Sequence, residues 1–273
     1  TNTNSNIKIN FNNKKIKAIN KKCVENGDRY LIYIDGTKAQ FKKKTDKEAY
    51  DQALAKSTFK NPFKTDGIIV GMDKMPSWGL SNTNFERDLA FIYMKSGKIS
   101  DKDKAIEFYY SNKLTEFVHY NVCGIVKGTE QPDEYIVLTC HYDHLGAMGE
   151  DVYFPGAHDN ASGCAFVLNM AQYFAQHPCK NSVVFLFFAG EESGLLGSKY
   201  FTENPLIPME NIKYVINFDL LGGGDEGIML VNSTEGKGLE LYKRLMEINE
   251  GEQLLPKIAQ RSNAANSDHY FFT

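Results

Sequence analysis

Three short apolar runs in this chain each end in an acid or an imidazole. Glu134-Tyr-Ile-Val-Leu-Thr-Cys140 leads into His141-Tyr-Asp143-His144, Ser182-Val-Val-Phe-Leu-Phe-Phe-Ala189 into Gly190-Glu191-Glu192, and Tyr214-Val-Ile-Asn-Phe218 into Asp219. Each run is β-branched or aromatic and almost wholly apolar, the pattern of a strand buried on both faces. Between them the spacing turns helical. Phe166, Met170 and Phe174 fall on one stripe of a helix that opens at Asp159-Asn160-Ala161-Ser162-Gly163, with Asn160 or Ser162 as its cap, and ends before Pro178. Further helices are predicted over about 193–204 and 237–249. From Glu116 onward this alternation predicts an α/β domain: a mixed, largely parallel sheet sandwiched between helices.

The first third has a different texture. Ile16, Ile19 and Cys23 at helical spacing predict a helix over about 14–25. Arg29–Ile34 and Gly67–Val70 predict strands, and the polar, lysine-rich residues 42–66 carry no clear pattern. Helices are expected near 84–94 and from Ser100. This region lacks clustered His, Asp and Glu, so it reads as a small accessory domain over 1–83, followed by a chemistry-bearing domain over 84–273.

Composition narrows the function classes. The 273 residues carry a net charge of −3, and 42% are apolar, which is ordinary for a globular protein. That charge gives no electrostatic argument for nucleic acid or anionic membranes as partners, and the paired lysines near the N-terminus read as a solvated face. No stretch approaches the roughly 18 apolar residues of a membrane-spanning helix. The five cysteines are widely spaced, without a C-x-x-C pair, so a disulfide framework is not expected. Cys140 adjoins His141, and strand alternation should aim it at the opposite face. A Thr1 start with a polar lead suggests a processed N-terminus, hence a secreted or periplasmic protein. Nothing in the sequence bears on oligomeric state.

The strand-end acids carry the chemical argument. Ligands of open α/β sheets bind beyond the carboxyl ends of the strands. Carboxylates gathered there repel one another unless a cation neutralises them. His141 and Asp143, two residues apart on an extended segment, share a face, so one suits a metal and the other an orienting role. Each feature also has a plainer reading: a hydrogen-bonded His at a strand end, an Asp159 N-cap, a solvated Glu-Glu turn. Asp219, Asp268 and His269 add to the set, the last two closing the site or standing behind its ligands. Together the motifs point to a metal-dependent enzyme.

These segments closely resemble the motifs of the di-zinc aminopeptidases of metallopeptidase family 28. They are His141-Tyr-Asp-His-Leu-Gly146, Gly156-Ala-His-Asp-Asn-Ala-Ser-Gly163, Phe188-Ala-Gly-Glu-Glu-Ser-Gly-Leu-Leu-Gly-Ser198, Asn217-Phe-Asp-Leu-Leu-Gly222 and Ser267-Asp-His-Tyr-Phe-Phe272. Asn121–Gly128 resembles the strand that opens the family's catalytic domain, and residues 1–83 resemble, more loosely, part of its protease-associated insertion. The resemblance implies a zinc exopeptidase fold and removal of N-terminal residues from peptides with a free N-terminus. It implies that His141 and Asp219 hold one zinc, that Glu192 holds the other, and that Asp159 bridges them. It makes Glu191 the general base, Asp143 the residue that orients His141, and His144 and His158 structural neighbours. The family's last ligand is a His in a segment beyond the Ser-Asp-His motif. The chain stops at Thr273, so the expectation is a domain lacking its final strand and helix, with a weak second zinc site. A glutaminyl-cyclase-like transferase, a carboxypeptidase of the same family and a non-catalytic binding relative are the competing readings.

Overall fold

The computed structural model describes residues 5–11, 30–35, 67–74, 90–95, 105–110, 116–148, 151–222 and 224–272. The helix predicted over 14–25 and the lysine-rich segment 42–66 lie outside these residues. The described elements fall into two units, one holding the strands before residue 116 and the other everything from Phe117 onward.

The first unit contains β1 (Ser5–Phe11), β2 (Tyr30–Asp35), β3 (Gly67–Met72), β4 (Ala90–Lys95) and β5 (Ala105–Tyr110). They form a sheet of order β4-β3-β2-β1-β5. β1 to β4 pair in parallel, and β5 runs antiparallel to β1. Ile68, Ile69 and Val70 of the inner strand β3 are all buried, so both of its faces are covered. Two expectations are corrected here. Residues 90–94 are strand rather than helix, and so are residues 105–110 of the helix expected from Ser100. Both runs are rich in β-branched and aromatic residues, and pairing with a neighbouring strand decides their state over any helical spacing. β4 and β5 belong to the first sheet, and the two units divide near residue 116.

The second unit contains β6 (Val122–Val126), β7 (Gln131–His141), β8 (Ala147–Met148), β9 (Val152–Tyr153), α1 (Ser162–Gln176), β10 (Asn181–Phe188), α2 (Leu196–Glu203), β11 (Ile212–Asn217), β12 (Ile228–Leu230), α3 (Gly236–Glu252) and β13 (Ile258–Gln260). Its main sheet has the order β11-β7-β10-β6. β7 is parallel to both β10 and β11, and only β6 is antiparallel. The runs predicted as strands are these strands, and the predicted helices are α1, α2 and α3.

Alternation along the strands builds two cores. Val137, Val184, Leu186 and Phe188 point to one face and pack with Phe201 of α2. Leu138, Cys140, Val183 and Phe185 point to the other and pack with Val167 of α1. The sheet is thus covered by helices on both faces, and each fully buried Val, Leu or Phe contributes about 1.5–3 kcal/mol. Cys140 lies in the α1 core, 3.8 Å from Cys164, on the face predicted for it.

Register brings the strand ends level. His141 pairs with Phe188 across β7 and β10, and Asn217 with Thr139 across β11 and β7. Because these three strands are parallel, the residues that follow them emerge along one edge of the sheet.

Candidate metal centre

His141, the last residue of β7, is 1% exposed. Its Nδ1 lies 3.0 Å from the carbonyl oxygen of Asp143, which orients the ring. Its Nε2 faces two carboxylates, Asp159 at 3.2 Å and Asp219 at 3.3 Å. Burial works against a charged imidazole, but Asp143 and Asp219 outweigh it and push His141 up to about 11.

The Asp143 carboxylate lies 3.7 Å from His141 Nδ1, within ion-pair range of the ring. Its oxygens accept from the backbone N–H groups of Glu191 and Glu192, at 3.1 and 3.2 Å. Burial alone would raise the Asp143 carboxyl, but His141 and these two N–H groups hold it below the usual range. A charged clasp thus joins the exit of β7 to the turn after β10. That turn begins at Gly190, whose φ of 74° is left-handed.

The clasp presents both glutamates to the site. Burial pushes Glu191 up to about 8; His141 opposes this, while Asp268, Asp219 and Glu192 add to it. Glu192 is raised too, by burial and then by Asp159, against the pull of His144 and His141.

Asp219 follows β11 and is held by a chain of hydroxyls and amides. Thr139 Oγ1 donates to Asn217 Oδ1 at 2.7 Å, Asn217 Nδ2 to Ser267 Oγ at 2.8 Å, and Ser267 Oγ to Asp219 Oδ2 at 2.7 Å. Burial tends to raise Asp219, but the hydrogen bonds from His141 and Ser267 hold it low.

Asp159 is placed by its neighbour. Asn160, 2% exposed, donates Nδ2 to the carbonyl of Phe218 at 2.9 Å. Its Oδ1 accepts from Gly163 N–H at 3.0 Å and Leu220 N–H at 3.3 Å. One amide therefore binds the first turn of α1 and ties the Asp159 turn to the segment carrying Asp219. A side chain at position 163 would put its Cβ 2.4 Å from Asn160 Oδ1 and 2.5 Å from the Phe218 carbonyl, so that approach requires glycine.

These contacts gather two donor clusters, His141 with Glu191 and Asp219, and His144 with Asp159 and Glu192. Within each, one ligand atom from every residue lies within 4.8 Å of the others. Asp159 also reaches His141, so it stands between the clusters. His144 Nδ1 and Glu192 Oε1 lie 2.9 Å apart as an ion pair inside the second cluster. Imidazole and carboxylate are ordinary zinc ligands, and the arrangement fits that metal. His141, Asp159, Glu192 and Asp219 all enter the clusters. His144 joins them although a structural role was expected for it, while His158 stays outside. Asp268 is fully buried behind the site, and His269 contacts the Ala264 carbonyl through Nε2 at 2.8 Å; neither belongs to a cluster. Asn160 was legible only as a possible cap, and the Thr139–Asn217–Ser267 chain left no signal in the sequence.

The profile of Peptidase family M28 matches residues 121–273. A probable zinc metalloprotease of Pyrenophora tritici-repentis is 38% identical over 103 residues, covering 37% of this chain and 24% of that protein. Leucine aminopeptidase 2 of Trichophyton equinum is 27% identical over 202 residues, covering 72% of this chain and 38% of that protein. The chain thus spans well under half the length of these curated relatives. Among solved structures, the zinc aminopeptidase BSAP from Bacillus subtilis superposes with a TM-score of 0.61 at 18% identity, covering 90% of this chain and 57% of that one. A peptidase M28 precursor from Shewanella amazonensis gives 0.57 at 18% identity, covering 98% and 62%. At such identities the superpositions speak for the zinc exopeptidase fold. With the family profile matched along more than half of its length, and its motifs gathered at one sheet edge, this chain belongs to peptidase family M28.

Proposed function

We propose that this chain is the catalytic part of a zinc-dependent aminopeptidase that works with a pair of zinc ions and removes residues from peptides with a free N-terminus. The observation that carries the reading is the convergence of two His-carboxylate clusters at one sheet edge, with Asp159 between them and the buried Glu191 beside them. His141 and Asp219 would hold one zinc, Glu192 the other, and Asp159 both. When bound, zinc supplies Lewis-acid activation of water and of the scissile carbonyl.

The chain's own groups do the rest. Glu191 takes a proton from the attacking water and returns it to the departing amine. Burial among other carboxylates gives Glu191 the proton affinity for that task, and its affinity falls when positive charge is placed beside it. Asp143 keeps Glu191 in reach by holding its backbone N–H. The Thr139–Asn217–Ser267 chain keeps Asp219 fixed, so that little reorganisation is needed during turnover. The aminopeptidase assignment draws on the leucine aminopeptidase relative, and residues 1–83 are assigned an accessory role.

The test is cleavage of a peptide set with free, N-acetylated or C-amidated ends, with metal content measured on the same samples. Release of N-terminal residues from free and C-amidated peptides, abolished by N-acetylation and by chelation, supports the proposal. Release from the carboxyl end would instead make the enzyme a carboxypeptidase. Cyclisation of N-terminal glutamine without hydrolysis would make it a transferase.

A further inference from the structure

The proposed reaction uses neither Cys140 nor Cys164, yet the fold brings the two thiols together. Cys140 is the penultimate residue of β7, next to His141, and Cys164 lies in the first turn of α1. Both are free cysteines, and their sulfurs stand 3.8 Å apart. A disulfide holds its sulfurs about 2 Å apart, so the remaining gap is within the reach of side-chain rotation. Cys164 Sγ also donates to the His141 carbonyl oxygen at 3.1 Å, which puts the pair in touch with the backbone of a site residue.

The two thiols differ in access. Cys140 is fully buried in the α1 core with Leu138, Val167, Val183 and Phe185, whereas Cys164 is half-buried at its margin. An oxidant arriving from solvent meets Cys164 first, and the Cys140 sulfur is then the thiol in reach of the product. The other described cysteines are placed differently. Cys123 is exposed on β6, and Cys179 donates to the Asn181 carbonyl at 3.3 Å.

We infer that Cys140 and Cys164 are a modification site, a dithiol that peroxide converts to a disulfide. The Cys164 sulfur attacks one oxygen of hydrogen peroxide, the O–O bond breaks, and Cys164 becomes a sulfenic acid as one water leaves. The Cys140 sulfur then attacks that sulfur. The S–S bond forms, the S–O bond breaks, and the Cys140 proton departs with the hydroxyl as a second water. The two thiols lose two electrons, and one peroxide is reduced to two waters. Closure takes the Cys164 S–H away from the His141 carbonyl and draws the first turn of α1 toward β7. The turn carrying Asp159 directly precedes that helix, so the oxidised chain holds zinc less tightly. This consequence rests on the zinc reading above, whereas formation of the bond does not.

The test treats the zinc-loaded full chain with hydrogen peroxide and maps its peptides by mass without reductant. A peptide pair linked through Cys140 and Cys164 is expected, and it should reopen with a phosphine. Cys140→Ala should leave a sulfenic acid on Cys164 that dimedone traps, and Cys164→Ala should leave Cys140 unmodified. Zinc affinity against a competing chelator, measured after the phosphine or peroxide is removed, should be about 10–100-fold lower in the linked chain. Circular dichroism on each sample separates this loss from unfolding. A folded chain in which peroxide modifies Cys123 but leaves Cys140 and Cys164 unlinked overturns the inference. A linked chain with unchanged zinc affinity overturns the effect on the metal site. If the reduced wild type binds no zinc, the zinc reading fails, while the peptide map judges the disulfide by itself.

Discussion

At the level of single residues, the site is made by charges that burial would forbid without partners. Glu191 is raised by burial and by its acidic neighbours, and it is the group through which the proton passes. Glu191→Gln keeps the shape and removes the base. Turnover should fall by about 10²–10⁴-fold with the fold intact and zinc still bound. If the variant instead loses zinc in proportion to activity, Glu191 is acting mainly as a ligand in the cluster it shares with His141 and Asp219. Asp268 offers a second test. It is 0% exposed, and burial pushes it up to about 6 against the pull of a hydrogen bond with Ser198 and of His141. The folded state therefore favours its protonated form. Stability is full below about pH 4 and is lost as pH rises through about 6. In chelator, Asp268→Asn should raise stability by about 2 kcal/mol near pH 7.5 and change it little near pH 4. Urea unfolding at both values checks this, and an equal gain at both would place the effect outside titration.

Among the elements, the controlling feature is the turn between β9 and α1. Asn160 makes buried hydrogen bonds to α1 and to the segment after β11, so one side chain holds two ligand-bearing segments together. Asn160→Ala should cost about 3 kcal/mol, because it leaves buried backbone groups unsatisfied. It should also weaken zinc binding through misplacement of Asp159, although Asn160 touches neither cluster. Stability and zinc affinity measured on the same variant decide whether the two losses travel together. In the first unit, the residues read as helix near 84–94 are strand where described, because hydrogen bonds to β3 were available to them. Spacing within a short apolar run does not reveal whether a partner strand lies beside it.

For the whole molecule, every candidate ligand lies in the unit that begins at Phe117, and they come from β7, the turn before α1, and the exits of β10 and β11. Zinc binding therefore ties several distant segments together. Its stabilisation grows with the logarithm of free zinc above the dissociation constant, reaching about 4 kcal/mol at a thousandfold excess. Chelation should raise amide exchange at the carboxyl ends of β7, β10 and β11. It should leave exchange in β1 to β5 unchanged, since no ligand comes from that sheet. Hydrogen exchange with and without chelator measures this, and a uniform change across both units would mean that they respond as one body.

Strand runs, helical stripes and acids placed at run ends are local properties, and the sequence alone determined them: β7, β10 and β11, the three helices of the second unit, and the placement of His141, Asp159, Glu191, Glu192 and Asp219 where a metal centre would form. The motifs were also enough to place the chain near its family. Which donor stands beside which depends on the register of strands joined through separations of 48 to 78 residues, as in the contacts of Asp143 with Glu191 and of His141 with Asp219. Only tertiary structure decided that the Asp143 carboxylate would also hold the backbone N–H groups of Glu191 and Glu192, that His144 would face Glu192, and that Asn160 would join two segments. The physical reason is that hydrophobic periodicity fixes which face a residue takes, whereas coordination and hydrogen bonding depend on distances of a few ångströms set by the packing of many elements at once.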